Sequence, residues 1–284
     1  MPSAVTKELN AEMPVAVFDS GVGGLTVLHE LLVALPEEDY IYFGDTARFP
    51  YGSRSPAELR EFSDQIADWL VAQGAKLVVI ACNSATAAAL DGLRERLART
   101  SGITVIGVIE PESVLAAAGT RNGHIGLLAT VATVESGAYD RAVASADPQT
   151  KLVSVACPDL APVIQAGSPF SDETVEMVRA YCEPLREADV DTVILGCTHY
   201  PLVRPLLQRA LGPKVRIITS GDAAARRVEH ALSVGGIRRE GNREGYYEFV
   251  CTGDPAQFIA VGERFLQLPL GAVKRIELES EVSK

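Results

Sequence analysis

LVVIACNS, Leu77 to Ser84, is a run of four aliphatic residues that ends on small and polar ones. A short apolar run without alternation reads as a strand buried on both faces, the pattern of a parallel sheet. The same reading applies 115 residues later to TVILGCTH, Thr192 to His199. Each stretch sets a cysteine, Cys82 or Cys197, just after its strand. Outward from Cys82, Val15–Phe18 ends at Asp19, Tyr40–Phe43 at Gly44-Asp45, and Ile103–Val108 at Glu110-Pro111. Outward from Cys197, Ile125–Leu128 ends at Ala129-Thr130, Lys151–Val155 at Ala156-Cys157, and Val215–Thr219 at Ser220-Gly221. The two series are offset by about 110 to 115 residues, and a nearly constant shift predicts a duplicated unit. Evenly spaced strands occur in any α/β protein, but the matching cysteines favour duplication.

Helical periodicity fills the gaps. Leu59, Phe62, Ile66, Trp69 and Leu70 fall three or four apart, and Gly74 supplies the stop. Strands alternating with helices predict an α/β fold of parallel sheets with helices on both faces. The expectation is two pseudo-symmetric, doubly wound domains, residues 1–110 with 222–284 and residues 111–221, and an active site between them. The tail holds a helix, a Gly/Arg-rich turn (Gly235 to Gly245), a strand (Tyr246 to Cys251) and a helix started by Asp254-Pro255. It is too short to stand alone and is expected to pack on the first domain. Two chain crossings between domains suit a hinge that closes over a ligand.

Composition narrows the function. Of 284 residues, 47% are hydrophobic and 22% charged, which excludes disordered and fibrous classes. A net charge of −11 disfavours nucleic acid and anionic membrane surfaces as partners. No stretch approaches the roughly 18 apolar residues of a membrane helix. The opening MPSAVTKELNAEMP has no apolar core, so a polar tail is expected there and not a secretory signal. The five cysteines (Cys82, Cys157, Cys182, Cys197, Cys251) are odd in number and form no CxxC pair. That argues against a disulfide framework or a zinc site and for the reducing cytoplasm.

Open α/β sheets bind ligands beyond the carboxyl ends of their strands. Cys82 and Cys197 lie there, each ahead of a helical segment (Ala85 to Leu90, Leu202 to Leu211). A helix N-terminus favours thiolate, so a downward shift from the usual pKa of about 8.5 is expected. Buried cysteine is often only a small hydrophobe, but two at equivalent places in a duplicated fold suggest chemistry. Two thiols facing each other suit inversion of a stereocentre, one removing a proton and the other delivering one. His199 and Asp19 are placed to tune Cys197 and Cys82, respectively. Gly21-Val22-Gly23-Gly24 fits neither nucleotide fingerprint, since Thr26 stands where the third glycine would be and no Lys-Ser/Thr follows. These glycines are expected to allow a tight turn and close approach of a ligand. His29, His124 and His230 have no partner at motif distance, and no His/Cys pair has metal-ligand spacing.

VFDSGVGGLTV (17–27), YFGDTARFPYG (42–52), ACNSATAAAL (81–90) and LGCTHYPL (195–202) resemble the glutamate racemase family, over about residues 13 to 268. Aspartate and hydantoin racemases share the two cysteines, but Cys-Thr-His-Tyr-Pro-Leu looks like the glutamate enzymes. The resemblance implies cofactor-independent racemisation of glutamate, no metal, D-glutamate made for peptidoglycan, and a cytoplasmic homodimer. It implies that Cys82 attacks D-glutamate and Cys197 L-glutamate, with Asp19 and His199 assisting. Asp19, Ser20, Tyr51, Gly52, Asn83, Ser84, Thr198 and His199 would contact substrate, and Asp45 would assist. Two positions depart from the family pattern: Ser84 replaces a usual Thr, and Gln165 replaces a usual Glu that supports the histidine. Cys157, the duplication counterpart of Asp45, is expected near the pocket mouth with no catalytic role. The rival readings are an aspartate racemase, a dithiol redox switch and a small-ligand binding module.

Overall fold

The structure is a computed structural model that describes residues 8–167 and 169–278. The ends of the polar N-terminal tail and of the C-terminal tail lie outside the described residues. Eight strands fall where the apolar runs predict them: β1 (Val15–Asp19), β2 (Tyr40–Gly44), β3 (Leu77–Ile80), β4 (Thr104–Gly107), β5 (His124–Ala129), β6 (Lys151–Ala156), β7 (Thr192–Gly196) and β8 (Arg216–Ile218). The tail adds β9 (Tyr247–Cys251) and β10 (Val273–Arg275). Every pairing is parallel. One sheet runs β10-β9-β2-β1-β3-β4 and the other β6-β5-β7-β8. The order β2-β1-β3-β4 in the first is therefore repeated as β6-β5-β7-β8 in the second, as duplication predicts.

Burial explains which runs are continuous. β1, β2 and β7 are buried at every position, covered on both faces by helices. β6 is an edge strand, and all but its exposed first residue are half-buried. The helices start and stop on local chemistry. Pro56–Ala72 opens on a reciprocal capping box between Ser55 and Glu58. Asn83–Ser101 closes at Gly102, whose φ of 70° is cheap only for glycine. Pro255–Leu266 opens on Asp254, whose side chain accepts from the Ala256 N–H.

The tail returns to the first sheet. β9 pairs with β2, and the helix Ser220–Val234 packs on the helix Leu25–Ala34. Lys76, fully buried, fastens this return: its Nζ donates to the Ile237 and Ala11 carbonyls and pairs with Glu38 at 2.6 Å.

Candidate active site

The carboxyl ends of three strands from each sheet converge on a cavity of about 70 Å³. β1 contributes Ser20, and the segment after β2 contributes Phe49 to Ser53. Cys82, Asn83 and Ser84 follow β3; Thr130 and Val131 follow β5. Pro158, Ala161 and Pro162 come from beyond β6, and Gly196 to His199 from β7. The two cysteines singled out by the duplication thus share one wall-to-wall cavity, with Ser20, Tyr51, Gly52, Asn83, Ser84, Thr198 and His199 around it.

Both thiols are more than nine-tenths buried and free. Burial, aided by the Asp19 charge, pushes the Cys82 thiol up to about 12, although the Ala85 N–H and Ser20 favour thiolate. Burial also pushes Cys197 well above the ordinary thiol range, with the His199 N–H opposing and Cys82 and Asp19 adding to it. This overturns the expected downward shift. Removal from water outweighs the few oriented N–H groups. The two sites also differ locally. Cys82 directly precedes the helix Asn83–Ser101, whereas Cys197 is followed by a 3₁₀ turn, Tyr200–Val203, before the helix Arg204–Leu211.

Asp19 lies beneath the cavity, fully buried at the end of β1. The Gly21 N–H donates to its Oδ2 at 3.0 Å and the Thr198 hydroxyl to its Oδ1 at 3.3 Å, a link between the two sheets. Burial outweighs these donors and raises its carboxyl to about 6. His199 is also buried, which lowers its pKa to about 3 and keeps the ring neutral near pH 7. Its Nδ1 stands 3.9 Å from Cys197 Sγ and its Nε2 2.8 Å from Gln165 Oε1. With Gln165 Oε1 as acceptor, Nε2 carries the proton and Nδ1 turns its lone pair to the thiol. Gln165 thus reaches the site through His199 and not as part of the cavity wall.

Two further residues lie outside the cavity wall. Asp45 stands behind the wall, where it accepts from Arg48 Nε at 2.5 Å, the Thr252 hydroxyl at 2.8 Å and the Tyr51 hydroxyl. It holds the Tyr51 segment against the strand-end of β9. Asp45→Ala leaves buried donors unpaired and is expected to lower stability by about 3 kcal/mol or more, read from urea unfolding. Cys157 is fully buried in the core and not at the mouth; its neighbour Pro158 reaches the cavity. Among the glycines of the turn after β1, Gly23 also meets the other half of the protein. A Cβ on Gly23 would lie 2.4 Å from Thr198 Oγ1 and 2.5 Å from His199 Nδ1, so what approaches closely is the other half of the protein. Gly52 plays a similar part opposite Thr130, where a Cβ would meet the threonine Cβ at 2.8 Å.

Two residues at or beside the cavity received no role from the sequence. Thr130 lines the cavity and shares a hydrogen bond with Ser84 across 2.9 Å; its place just after a buried strand was the available signal. Glu112 carried no such signal, since it sits in the first turn of the helix Ile109–Gly119. It is fully buried and accepts from Ser220 Oγ at 2.6 Å, from Asn83 Nδ2 at 3.2 Å and from the Tyr139 hydroxyl. Burial raises its carboxyl to about 8. Between the ordinary carboxylate value near 4.5 and about 8, the unfolded chain has lost this proton while the folded protein keeps it. The contribution of Glu112 to stability therefore falls as pH rises through that window. Glu112→Gln is expected to flatten the decline, measured as Tm against pH beside the parent.

Among the described residues, no cluster of His, Cys, Asp and Glu could hold a metal ion, and no helix is long and apolar enough to cross a membrane.

A doubly wound pair of parallel sheets with paired strand-end thiols defines a class of amino-acid racemases, and residues 5–228 match the family model Asp/Glu/Hydantoin racemase. The chain belongs to that family of isomerases. Its full-length likeness is to glutamate racemases. The one from Geobacter metallireducens is 43% identical over 267 residues, 94% of this chain and 97% of the relative. The crystal structure of glutamate racemase isoform RacE1 from Bacillus anthracis matches at a TM-score of 0.89 and 37% identity, covering 95% of this chain and 99% of that one. A glutamate racemase from Francisella tularensis, solved in complex with D-glutamate, matches at 0.87 and 32% identity, covering 95% and 99%.

Proposed function

We propose that this chain interconverts L- and D-glutamate with Cys82 and Cys197 as its two proton carriers. The observation that carries the reading is the pair of buried thiols, from equivalent strand ends of the two sheets, on one small cavity. Cys197 as thiolate takes the α-proton of L-glutamate, so the Cα–H bond breaks and an S–H bond forms. The electron pair delocalises into the α-carboxylate, where hydroxyls such as Ser84, Thr130 and Thr198 and the N–H groups of the strand-to-helix turns stabilise it. Cys82 then delivers its proton to the opposite face and is left as thiolate. For D-glutamate the roles reverse. The chemistry needs no cofactor, because thiols carry both protons.

The raised thiol pKa values set the electrostatic problem. Asp19 charges against both cysteines, so a substrate ammonium beside it would remove that repulsion and favour thiolate. At Cys197 the neutral His199 turns its Nδ1 lone pair toward the thiol, 3.9 Å away. The lobes 1–110 with 222–284 and 111–221 would hinge to admit substrate and exclude water. The likeness to glutamate racemases supports the same reading for a cytoplasmic homodimer that supplies D-glutamate for peptidoglycan; sedimentation at micromolar concentration tests the dimer.

The deciding experiment follows optical rotation and loss of the α-proton signal of L-glutamate in D₂O. Inversion with exchange is the expected result. No exchange sinks the reading, and exchange with aspartate instead selects that substrate. Gln165→Glu adds an ionised partner to His199 Nε2, raising the histidine pKa from its low value and protonating Nδ1. The acid limb of kcat/KM for L-glutamate is expected to move to higher pH, with less change for D-glutamate. If parent and variant profiles coincide in both directions, Gln165 is outside the relay.

A further inference from the structure

Asn83 stands on the cavity wall, yet both partners of its amide nitrogen, Glu112 and Tyr139, lie outside the lining. Nδ2 donates to Glu112 Oε2 at 3.2 Å and to the Tyr139 hydroxyl at 2.8 Å. Its Oδ1 is buried and has no partner. A buried acceptor without a donor is costly, and such an atom beside a cavity points to a ligand. Which end of an amide faces which way is set by its neighbours. Here Glu112 Oε2, which also accepts from the Tyr139 hydroxyl, faces the nitrogen, and the proton that the buried carboxyl keeps sits on Oε1, on the Ser220 side. Rotating the amide by half a turn would set Oδ1 against Glu112 Oε2, acceptor against acceptor.

We propose that Glu112 is a positioning residue for substrate recognition: it locks the Asn83 amide so that Oδ1 faces the cavity and accepts from the α-ammonium of the amino acid. The inference rests on the amino-acid racemase reading. An amino dicarboxylate offers one strong donor group, its ammonium; its carboxylates only accept. An Asn83 amide reversed toward the cavity would offer N–H groups to a carboxylate and lose the ammonium contact. Glu112 also receives the Ser220 hydroxyl at 2.6 Å. Ser220 opens the helix Ser220–Val234, and Glu112 lies in the helix Ile109–Gly119, so the lock stands where the chain makes both crossings between the sheets.

The test measures, by calorimetry, binding of D-glutamate and of glutarate, the same dicarboxylate without the amino group. Glu112→Met keeps the length and removes the acceptor. It is expected to weaken D-glutamate about tenfold, the size of one hydrogen bond to a charged group, and to leave glutarate within about twofold. Glu112→Gln can still turn an oxygen to Asn83 and its amide nitrogen to Ser220, so it is expected to stay within about threefold of the parent for D-glutamate. In an Asn83→Ala background, Glu112→Met should add less than about twofold. Equal weakening of both ligands by Glu112→Met, or an undiminished effect without Asn83, overturns the inference. Should Glu112→Met not fold, Tyr139→Phe, which deletes one hydroxyl, replaces it. A loss of about threefold confined to D-glutamate then supports the lock, and equal or no loss overturns it. Racemisation by the parent tests the underlying reading separately. A parent that does not turn over glutamate fails that reading, whereas a parent that does, beside a Glu112→Met variant that keeps the parent's ligand preference, fails the inference alone.

Discussion

Cys82→Ser and Cys197→Ser are each expected to cut racemisation in both directions by roughly 10³-fold or more, the scale of a positioned acid–base group. Serine keeps the shape and the hydrogen, but its hydroxyl ionises far less readily than a thiol, and burial at these positions already disfavours the charged form. Racemisation needs both groups, so neither variant should invert the substrate. Exchange without inversion is the finer readout. With Cys82 alone, D-glutamate should still trade its α-proton for deuterium, since the remaining thiolate can remove and return it on one face. With Cys197 alone, the same should hold for L-glutamate. A variant that racemises at the parent rate would defeat the two-thiol mechanism even if the activity stands.

Gly23→Ala is expected to produce the next largest loss, on the order of 10²-fold in kcat/KM, with the protein still folded. The added methyl would sit 2.4 Å from Thr198 Oγ1 and 2.5 Å from His199 Nδ1. One or both must move by more than half an ångström. Thr198 also donates to Asp19, and His199 is clamped between the Phe49 and Phe265 rings at centroid distances of 5.3 and 5.2 Å. The displacement therefore falls on groups that the reaction needs held, and small misplacements of such groups are costly. Circular dichroism beside the kinetics separates this from unfolding. Because His199 stands next to Cys197, the loss should be greater with L-glutamate than with D-glutamate. A folded Gly23→Ala variant with parent kinetics would show that the close approach does not matter.

The sheet architecture could be read almost entirely before any coordinates. Runs such as Leu77–Ile80 and Thr192–Leu195 are apolar at every position because both faces of a parallel strand are covered, and that demand acts residue by residue along the chain. The same locality made the strand ends legible, so Cys82, Cys197, Asp19, Thr198 and His199 could be singled out from their neighbours alone. Asp45 was read as an assisting residue from the family resemblance. Of the side chains it meets, Arg48 and Tyr51 follow within six residues and Thr252 comes from 207 positions away, and these contacts set it behind the cavity wall.

The protonation of the thiols was beyond sequence because two opposing effects had to be compared. A helix start is a local feature and can be read. The depth of burial that pushes Cys82 up to about 12 arises only when the two halves close over the cavity. Glu112 shows the limit most plainly. Nothing around Ile109-Glu110-Pro111-Glu112 marks a functional residue, and its partners Asn83, Tyr139 and Ser220 lie 27 to 108 positions away. Residue order set the strands, their duplication and the two thiols, since these depend on local pattern. Folding set what each group meets, and so its charge and aim, because burial and hydrogen-bond partners belong to the assembled molecule.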